Sequence, residues 1–334
     1  MPRTTKVIRY KFPCCAVMLL GCVPRLALAK GLPVQALLPP TAIGPRVEAL
    51  TIFGGDFGLS DGDFQSHEVS STGAPVPVQI AISKFGGDGE VGSPRPLGAL
   101  NIKWQPLVQG NLGYLQSRAL LSSSRSAGAA NELRTLALEF GGGVRLWTTR
   151  RLSFAPTVMV LYGHTDDDFT PGSAYGTASI AQLLQHNVVD WSIATWTLRP
   201  AFDIQYILPL PHVIVTFSSD TAGFFTHGFD RSNTRLRVGG VSGFVTNKLD
   251  LNIPLGIDVF GHELHTGGYL SRTDLLGDLR RGLDVEHLNE LHGRLVLVFN
   301  NPLWGMQWLG IGASYLWGTN ISGWTYGADI EFHF

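Results

Sequence analysis

Charged residues are scarce in this chain: Asp, Glu, Lys and Arg make up 15% of it, against about 25% in soluble globular domains. That shortage argues against a fully solvated, charge-covered surface. The formal net charge of −1 offers no electrostatic footprint for nucleic acid. Long hydrophobic runs are lacking too. Beyond the N-terminus there is no stretch of about 18 apolar residues, which excludes membrane-spanning helices. Cysteine is confined to Cys14, Cys15 and Cys22, so the rest of the chain has no disulfide to staple it.

What is present is weak, evenly spread hydrophobicity and 40 glycines. Apolar composition without apolar runs is the trace of a membrane β-barrel, whose strands alternate lipid-facing and lumen-facing residues. A secreted β-sandwich shows a similar alternation.

The first 29 residues read as a secretory signal. Arg3, Lys6, Arg9 and Lys11 form a basic region, Cys14 to Val23 an apolar core, and Ala27-Leu28-Ala29 a cleavage site. The alternative takes Leu19-Leu20-Gly21-Cys22 as a lipoprotein box with Cys22 acylated. Either reading exports the protein. Residues 30–75, rich in Pro and Gly with one apolar stretch at Val47 to Phe53, are expected to be a loosely structured periplasmic leader.

From residue 76 to 334 an all-β, antiparallel up-and-down transmembrane barrel is expected. In Trp196 to Ile207, Trp196, Leu198, Pro200, Phe202, Ile204 and Tyr206 alternate with Thr197, Arg199, Ala201, Asp203 and Gln205. A period of two sets these on opposite faces of a strand; a helix would scatter both sets. The same period recurs at Phe154 to Tyr162, Leu136 to Leu146, Ile253 to Val259 and Leu309 to Trp317. Strands are expected near 76–85, 97–105, 109–121, 133–147, 152–164, 188–207, 212–222, 234–247, 252–265, 287–299, 306–317 and 321–334. They number twelve, and even numbers are the rule for bacterial barrels. Pro106 leaves open that 97–105 and 109–121 are one long strand. Short links at 148–151, 208–211, 248–251 and 300–305 alternate with long ones at 122–132, 165–187, 223–233 and 266–286. That is the asymmetry between periplasmic turns and outer loops, and it places both termini on the periplasmic side. Trp191, Trp196, Tyr206, Tyr162, Tyr315, Trp317, Trp324 and Phe334 fall near strand ends, where rings sit at headgroup level.

The last twelve residues, GWTYGADIEFHF, keep strict alternation to the final Phe334. With the leader and the glycine-rich strands, this ending resembles a Gram-negative outer-membrane protein, most nearly the solitary autotransporter-like β-barrel family, over roughly residues 45–334. The resemblance implies an outer-membrane location and contact with lipid. It also implies an assembly signal at Phe332 and Phe334, read by the barrel-assembly machinery. No passenger fits between leader and first strand. Oligomeric state is left open.

Stretches that invite chemistry are few. Gly261-His262-Glu263-Leu264-His265 spaces its histidines three apart, whereas a zinc-protease helix needs four. Asp166-Asp167-Asp168 reads as a solvated acidic loop, and Gly141-Gly142-Gly143 as close backbone packing or a bend. Neither a metal, a cofactor nor a catalytic residue is assigned. Residues 272–291 have helical leucine spacing, expected as a short helix in an outer loop that caps or folds into the barrel. Charges with inward parity are the best functional material: Glu139, Arg145, Arg199, Asp203, Asp258, Arg294, Asp329 and Glu331. On the lipid face an Arg or Lys costs about 2–4 kcal/mol at the midplane, so these line the lumen. They serve either as a selective pore or as a salt-bridge network that closes it. A transport pore or plugged channel is the expected function. A surface-interaction barrel acting through loops 165–187 and 266–286, and a rim hydrolase, are the alternatives. Deleting Phe334 is expected to reduce heat-modifiable protein in the outer-membrane fraction while leaving lumen properties of the inserted remainder unchanged.

Overall fold

The computed structural model describes residues 43–53, 58–69, 75–97, 102–121, 129–170, 190–232, 238–303 and 306–333. Among them the strands are β1 (Leu59–Val69), β2 (Pro75–Glu90), β3 (Arg95–Pro96), β4 (Lys103–Leu121), β5 (Ala129–Trp147), β6 (Leu152–Thr170), β7 (Ser192–Leu210), β8 (Val213–Arg231), β9 (Gly239–Val259), β10 (His262–Gly277), β11 (His287–Leu303), β12 (Met306–Gly318) and β13 (Ile321–His333). Each long strand pairs antiparallel with its neighbours in sequence, and β1 pairs with β13, so twelve strands close into a barrel. The two-residue β3 pairs only with the start of β4.

Closure has a measurable stagger. Following paired residues round the wall from Trp147 returns to β5 at Leu133, fourteen residues displaced (147 against 133). Twelve strands with this shear stand tilted by about 40° to the barrel axis. The faces follow parity. Trp196, Leu198, Phe202 and Tyr206 on β7 are 37–45% exposed, whereas Thr197 is fully buried. Tyr162 and Trp196 mark one belt, Tyr206 and Phe217 the other. Ten residues separate Trp196 from Tyr206. At about 3.3 Å each and a tilt of about 40°, they span ~25 Å, the height of an outer-membrane apolar band.

Twelve strands are present, but several borders differ from the expectation. The described residues 103–105 of the first expected segment and all of 109–121 belong to one strand, β4. Pro106 is tolerated because β2 stops at Glu90, opposite Leu107, so its missing N–H faces no ladder partner there. The expected turn at 248–251 lies inside β9; the chain turns at Phe260–Gly261 instead, both at positive φ. Residues 266–277 and 223–231 are strand rather than loop, in β10 and β8. Leu59–Val69, assigned to the leader, is the wall strand β1. Its outward positions carry Asp61, Asp63 and Gln65, which hid the alternation from a hydropathy reading.

β1 starts at mid-height, opposite Ala328 of β13. Below it, β2 and β13 meet directly through Phe332–Gly89 and His333–Glu90, the one parallel pairing among the described residues. The leader span also holds helix α1 (Ile43–Ile52). A second helix, α2 (Asp278–Leu283), follows β10, inside the segment whose leucine spacing predicts one. Residues 1–29, expected to be a secretory signal, and Phe334 lie outside the described residues.

Gly141, Gly142 and Gly143 occupy a place of close backbone approach. A Cβ built on them would stand 2.2, 2.3 and 2.1 Å from the carbonyl oxygens of Val158, Leu107 and Pro156. Since backbone cannot swing aside, Gly142→Ala is expected to cost about 1–3 kcal/mol. A lowered urea midpoint of the heat-modifiable band, relative to a surface control, measures it.

Candidate functional site

The lumen is occupied. All of Ile43 to Leu50 is buried, in a helix whose sequence, IGPRVEALTI, carries two charges. Pro45 sits in the first turn, where its missing N–H costs nothing. Val47, Ala49, Leu50 and Phe53 join one apolar cluster with Phe64, Leu115, Ala137, Phe244, Leu275 and Leu279 of the wall and of α2. Ile43 packs in a second cluster with Leu133, Trp191, Ile193 and Val238, towards the long-loop end.

The wall is built to receive this helix. By register, Gly113, Ala137, Gly163, Thr195 and Gly228 form a row of small residues across β4 to β8. Leu50 lies over Gly113 and Val47 over Gly163, where an added Cβ would meet both Val47 methyls at 2.7 Å. Two gaps beside α1 hold about 20 and 10 Å³, no more than about one water each.

Its two charges find hydroxyl partners. Thr226 donates to Glu48 Oε1 at 2.6 Å and Ser242 to Oε2, while Arg46 Nη1 donates to Ser117 Oγ. Thr226 in turn is 2.8 Å from Thr197. Glu48 belongs to the lumenal helix rather than to a membrane-crossing strand. Burial pushes its carboxyl above the ordinary glutamate range, opposed by the Ser242 and Thr226 hydrogen bonds. α2 closes the seat from the loop end. Leu279 is wholly buried against α1, Asp278 accepts from the Val241 N–H at 3.1 Å, and Asn320 donates to the Asp284 carbonyl at 3.1 Å.

The charges singled out by parity sit mostly inside, in three groups. Glu139, 3% exposed, pairs with Arg199 at 3.1 Å and accepts from Asn111 at 2.8 Å. Arg145 meets Glu90 at 3.3 Å, Asp203 at 3.9 Å and Gln205 at 2.8 Å. Arg294 bridges Asp250 at 2.9 Å and Asp329 at 3.7 Å, with Trp308 beneath its guanidinium. Every one of these ion pairs skips one strand along the wall, as β5 to β7 or β9 to β11, and none spans the bore. Asp258 departs from the set: it is exposed and accepts from Gly261 N–H at 2.7 Å in the β9–β10 turn. Glu331 and Phe332 stand opposite Trp308 and Met306 in backbone register, and their side chains lie outside the described residues.

The other flagged stretches are structural. His262 packs on Phe299 and His265 contacts Asn252 Oδ1 at 2.8 Å, on a strand rather than a helix. Asp166 to Asp168 lie in β6 rather than a loop. Asp166 faces His164, Asp168 faces Arg134, and Asp167 accepts from Asp190 N–H. No group of three His, Cys, Asp or Glu side chains among the described residues is arranged to hold a metal. Sequence reasoning missed Glu48, Arg46, Ser117, Thr226 and Ser242. The available signal was the pair of charges inside the otherwise apolar run ending at Phe53.

The raised pKa has a sign. Seated Glu48 holds its proton more tightly than it would in water, so seating is strongest at low pH and weakens as pH rises through the raised value. Maleimide labelling of Val47→Cys, as a ratio to the exposed His212→Cys, is therefore expected to rise with pH, and Glu48→Gln to flatten the rise. A ratio independent of pH in the Glu48 chain would remove the protonated latch.

The likeness to known proteins concerns this barrel. The chain resembles the β domain of the Bordetella autotransporter BrkA, at 14% identity with a TM-score of 0.51, covering 84% of this chain and 100% of that one. It also resembles the transport unit of the autotransporter AIDA-I from Escherichia coli, at 10% identity with a TM-score of 0.52, covering 89% and 99%. At such identities the likeness establishes the fold. No curated protein matches the chain. The family described as the solitary outer membrane autotransporter beta-barrel domain matches residues 96–326. With two thirds of its length inside that match, the chain belongs to the solitary outer-membrane autotransporter β-barrel family and is an outer-membrane β-barrel in contact with lipid.

Proposed function

We propose that this barrel is a non-enzymatic conduit whose resting state is closed by its own α1, with α2 as a cap. The observation that carries the reading is the seat. A helix with two buried charges fits a row of small wall residues, and wall hydroxyls meet both charges. A permanent filler needs only apolar packing. Polar contacts specify one position and can be exchanged for water when the helix leaves. The wall-hugging ion pairs of Glu139, Arg199, Arg145, Asp203, Arg294 and Asp329 leave the axis of the bore unbridged. On this reading they line the path once α1 has moved. Export through an N-terminal signal and assembly through the C-terminal strand complete the proposal.

The alternatives have less support. Part of the loop expected to present a surface epitope, 278–286, folds inward onto α1. Residues 171–189 lie outside the described residues. Ser314 and His292 approach to 2.9 Å, but Ser314 is wholly buried, which disfavours a hydrolytic reading.

In planar bilayers the full chain is expected to be closed or to open rarely. Gly163→Leu, which displaces Val47, and deletion of 278–283 are both expected to give discrete openings. Adding Arg199→Ala to either is expected to shift ion selectivity. Heat-modifiable migration confirms insertion. Folded protein without openings in both variants would overturn the conduit.

A further inference from the structure

One hairpin of the wall outruns the neighbour on its β8 side. Leu210 pairs with Val213 across the β7–β8 turn, and the last β8–β9 pair is Ile214 with Asn252. β9 then continues from Ile253 to Val259 with no strand partner on its β8 side among the described residues, while β10 pairs along the other side. Two of these seven residues are taken up by a bulge, and β10 spans the same stretch with the five residues His262 to Thr266. At about 3.3 Å per residue the hairpin therefore runs roughly 16 Å along the strand past β8, at the short-turn end.

This overhang has the wrong surface for water. Ile253, Leu255 and Ile257 are 37–50% exposed and follow the lipid-facing Leu249 and Leu251 down the strand, with a bulge at Leu255–Gly256, where Gly256 has φ +65°, between them. The tip is more unusual. Phe260 is 96% exposed with φ +56°, followed by Gly261 at φ +83°. Two positive φ values make a tight hairpin turn whose first position suits Asn or Asp, and a bulky residue there carries strain. The sequence therefore holds a large aromatic ring in solvent at a position that resists it.

The outer end of the adjoining arc shows the matching offset. The row of paired residues from Tyr206 in β7 reaches Trp324 in β13. It climbs about 3 Å per strand with the tilt, which puts Trp324 ~18 Å above Tyr206, against ~25 Å for Trp196. Beside Trp324 and Tyr326 the outward face of β1 already carries Asp63 and Asp61, both exposed. On this side the apolar band ends lower at the outer end, and around β9–β10 it also begins lower.

We propose that the β9–β10 hairpin is seated in the periplasmic leaflet, with Phe260 anchored at the boundary between headgroups and acyl chains, and that the barrel leans towards this arc. The partner is phospholipid. The unpaired edge of β9 keeps backbone N–H and C=O groups that hydrocarbon cannot satisfy. The seat is accordingly the interfacial layer, where water and headgroups reach them. Asp258 fits this placement, since its carboxylate caps Gly261 at the tip.

The three native cysteines all lie within the first 22 residues, so they can be changed to Ser without touching the barrel. In that background, Phe260→Cys, Leu255→Cys and His212→Cys each receive a nitroxide and are reconstituted in phosphatidylethanolamine–phosphatidylglycerol vesicles, with heat-modifiable migration checked for each. Power-saturation measurements are expected to show the residue 260 and 255 labels favouring oxygen over a water-soluble nickel relaxant. Nickel collisions should be several-fold fewer than for residue 212 in the neighbouring turn. Nickel access at 260 and 255 equal to that at 212 would overturn the anchor. Access lost only on adding a periplasmic extract would also overturn it, in favour of a protein partner.

Discussion

Hydrocarbon offers the backbone nothing to bond with, and the rest of this molecule follows from that. Every wall N–H and C=O must be met by another strand, so the sheet has to close, and closing twelve strands forces the fourteen-residue stagger and the tilt. Where the ladder falls short, the chain compensates. β1 supplies only the outer half of its position, and Phe332 and His333 bridge directly to Gly89 and Glu90 below it. Where backbones press together, as at Gly141 to Gly143, no side chain fits between them.

A closed wall of this size leaves a bore that side chains alone do not fill, unlike a barrel of about eight strands. Here two elements that are not part of the wall fill it. α1 comes from the segment before β1, and α2 from the link between β10 and β11. Their fit depends on small wall residues at one level and on hydroxyls at Ser117, Thr226 and Ser242. Wall hydroxyls donate to both Glu48 carboxylate oxygens, and Ser117 accepts from Arg46. The wall charges are paired with one another two strands apart.

The strands were legible because parity is enforced by two different solvents. Trp196 to Tyr206 could be sorted residue by residue, and the exposures agree. The count of twelve also held, although it joined two compensating differences: β4 was read as two strands, and β1 was overlooked. β1 escaped because Asp61 and Asp63 occupy outward positions that should be apolar. The β9–β10 turn escaped because Phe260-Gly261 lacks ordinary turn chemistry, whereas Asn247 to Asp250 imitates it. Inward parity gathered Glu139 and Arg199, which pair with each other, and Arg294, which pairs with Asp250 and Asp329. It misled at Asp258, where the strand had already left the wall to turn.

By itself, then, the amino-acid order determined the class of fold and its solvent, since both are local consequences of a period of two. It also marked α2 through leucine spacing. Which helix fills the bore, and against what, was decided only by tertiary structure. Gly163 acquires its meaning from Val47, 116 positions earlier in the chain, and Glu48 from Thr226 and Ser242, 178 and 194 positions later. Such pairings arise from the shear that brings distant strands to one level, and no local pattern in the chain encodes that level.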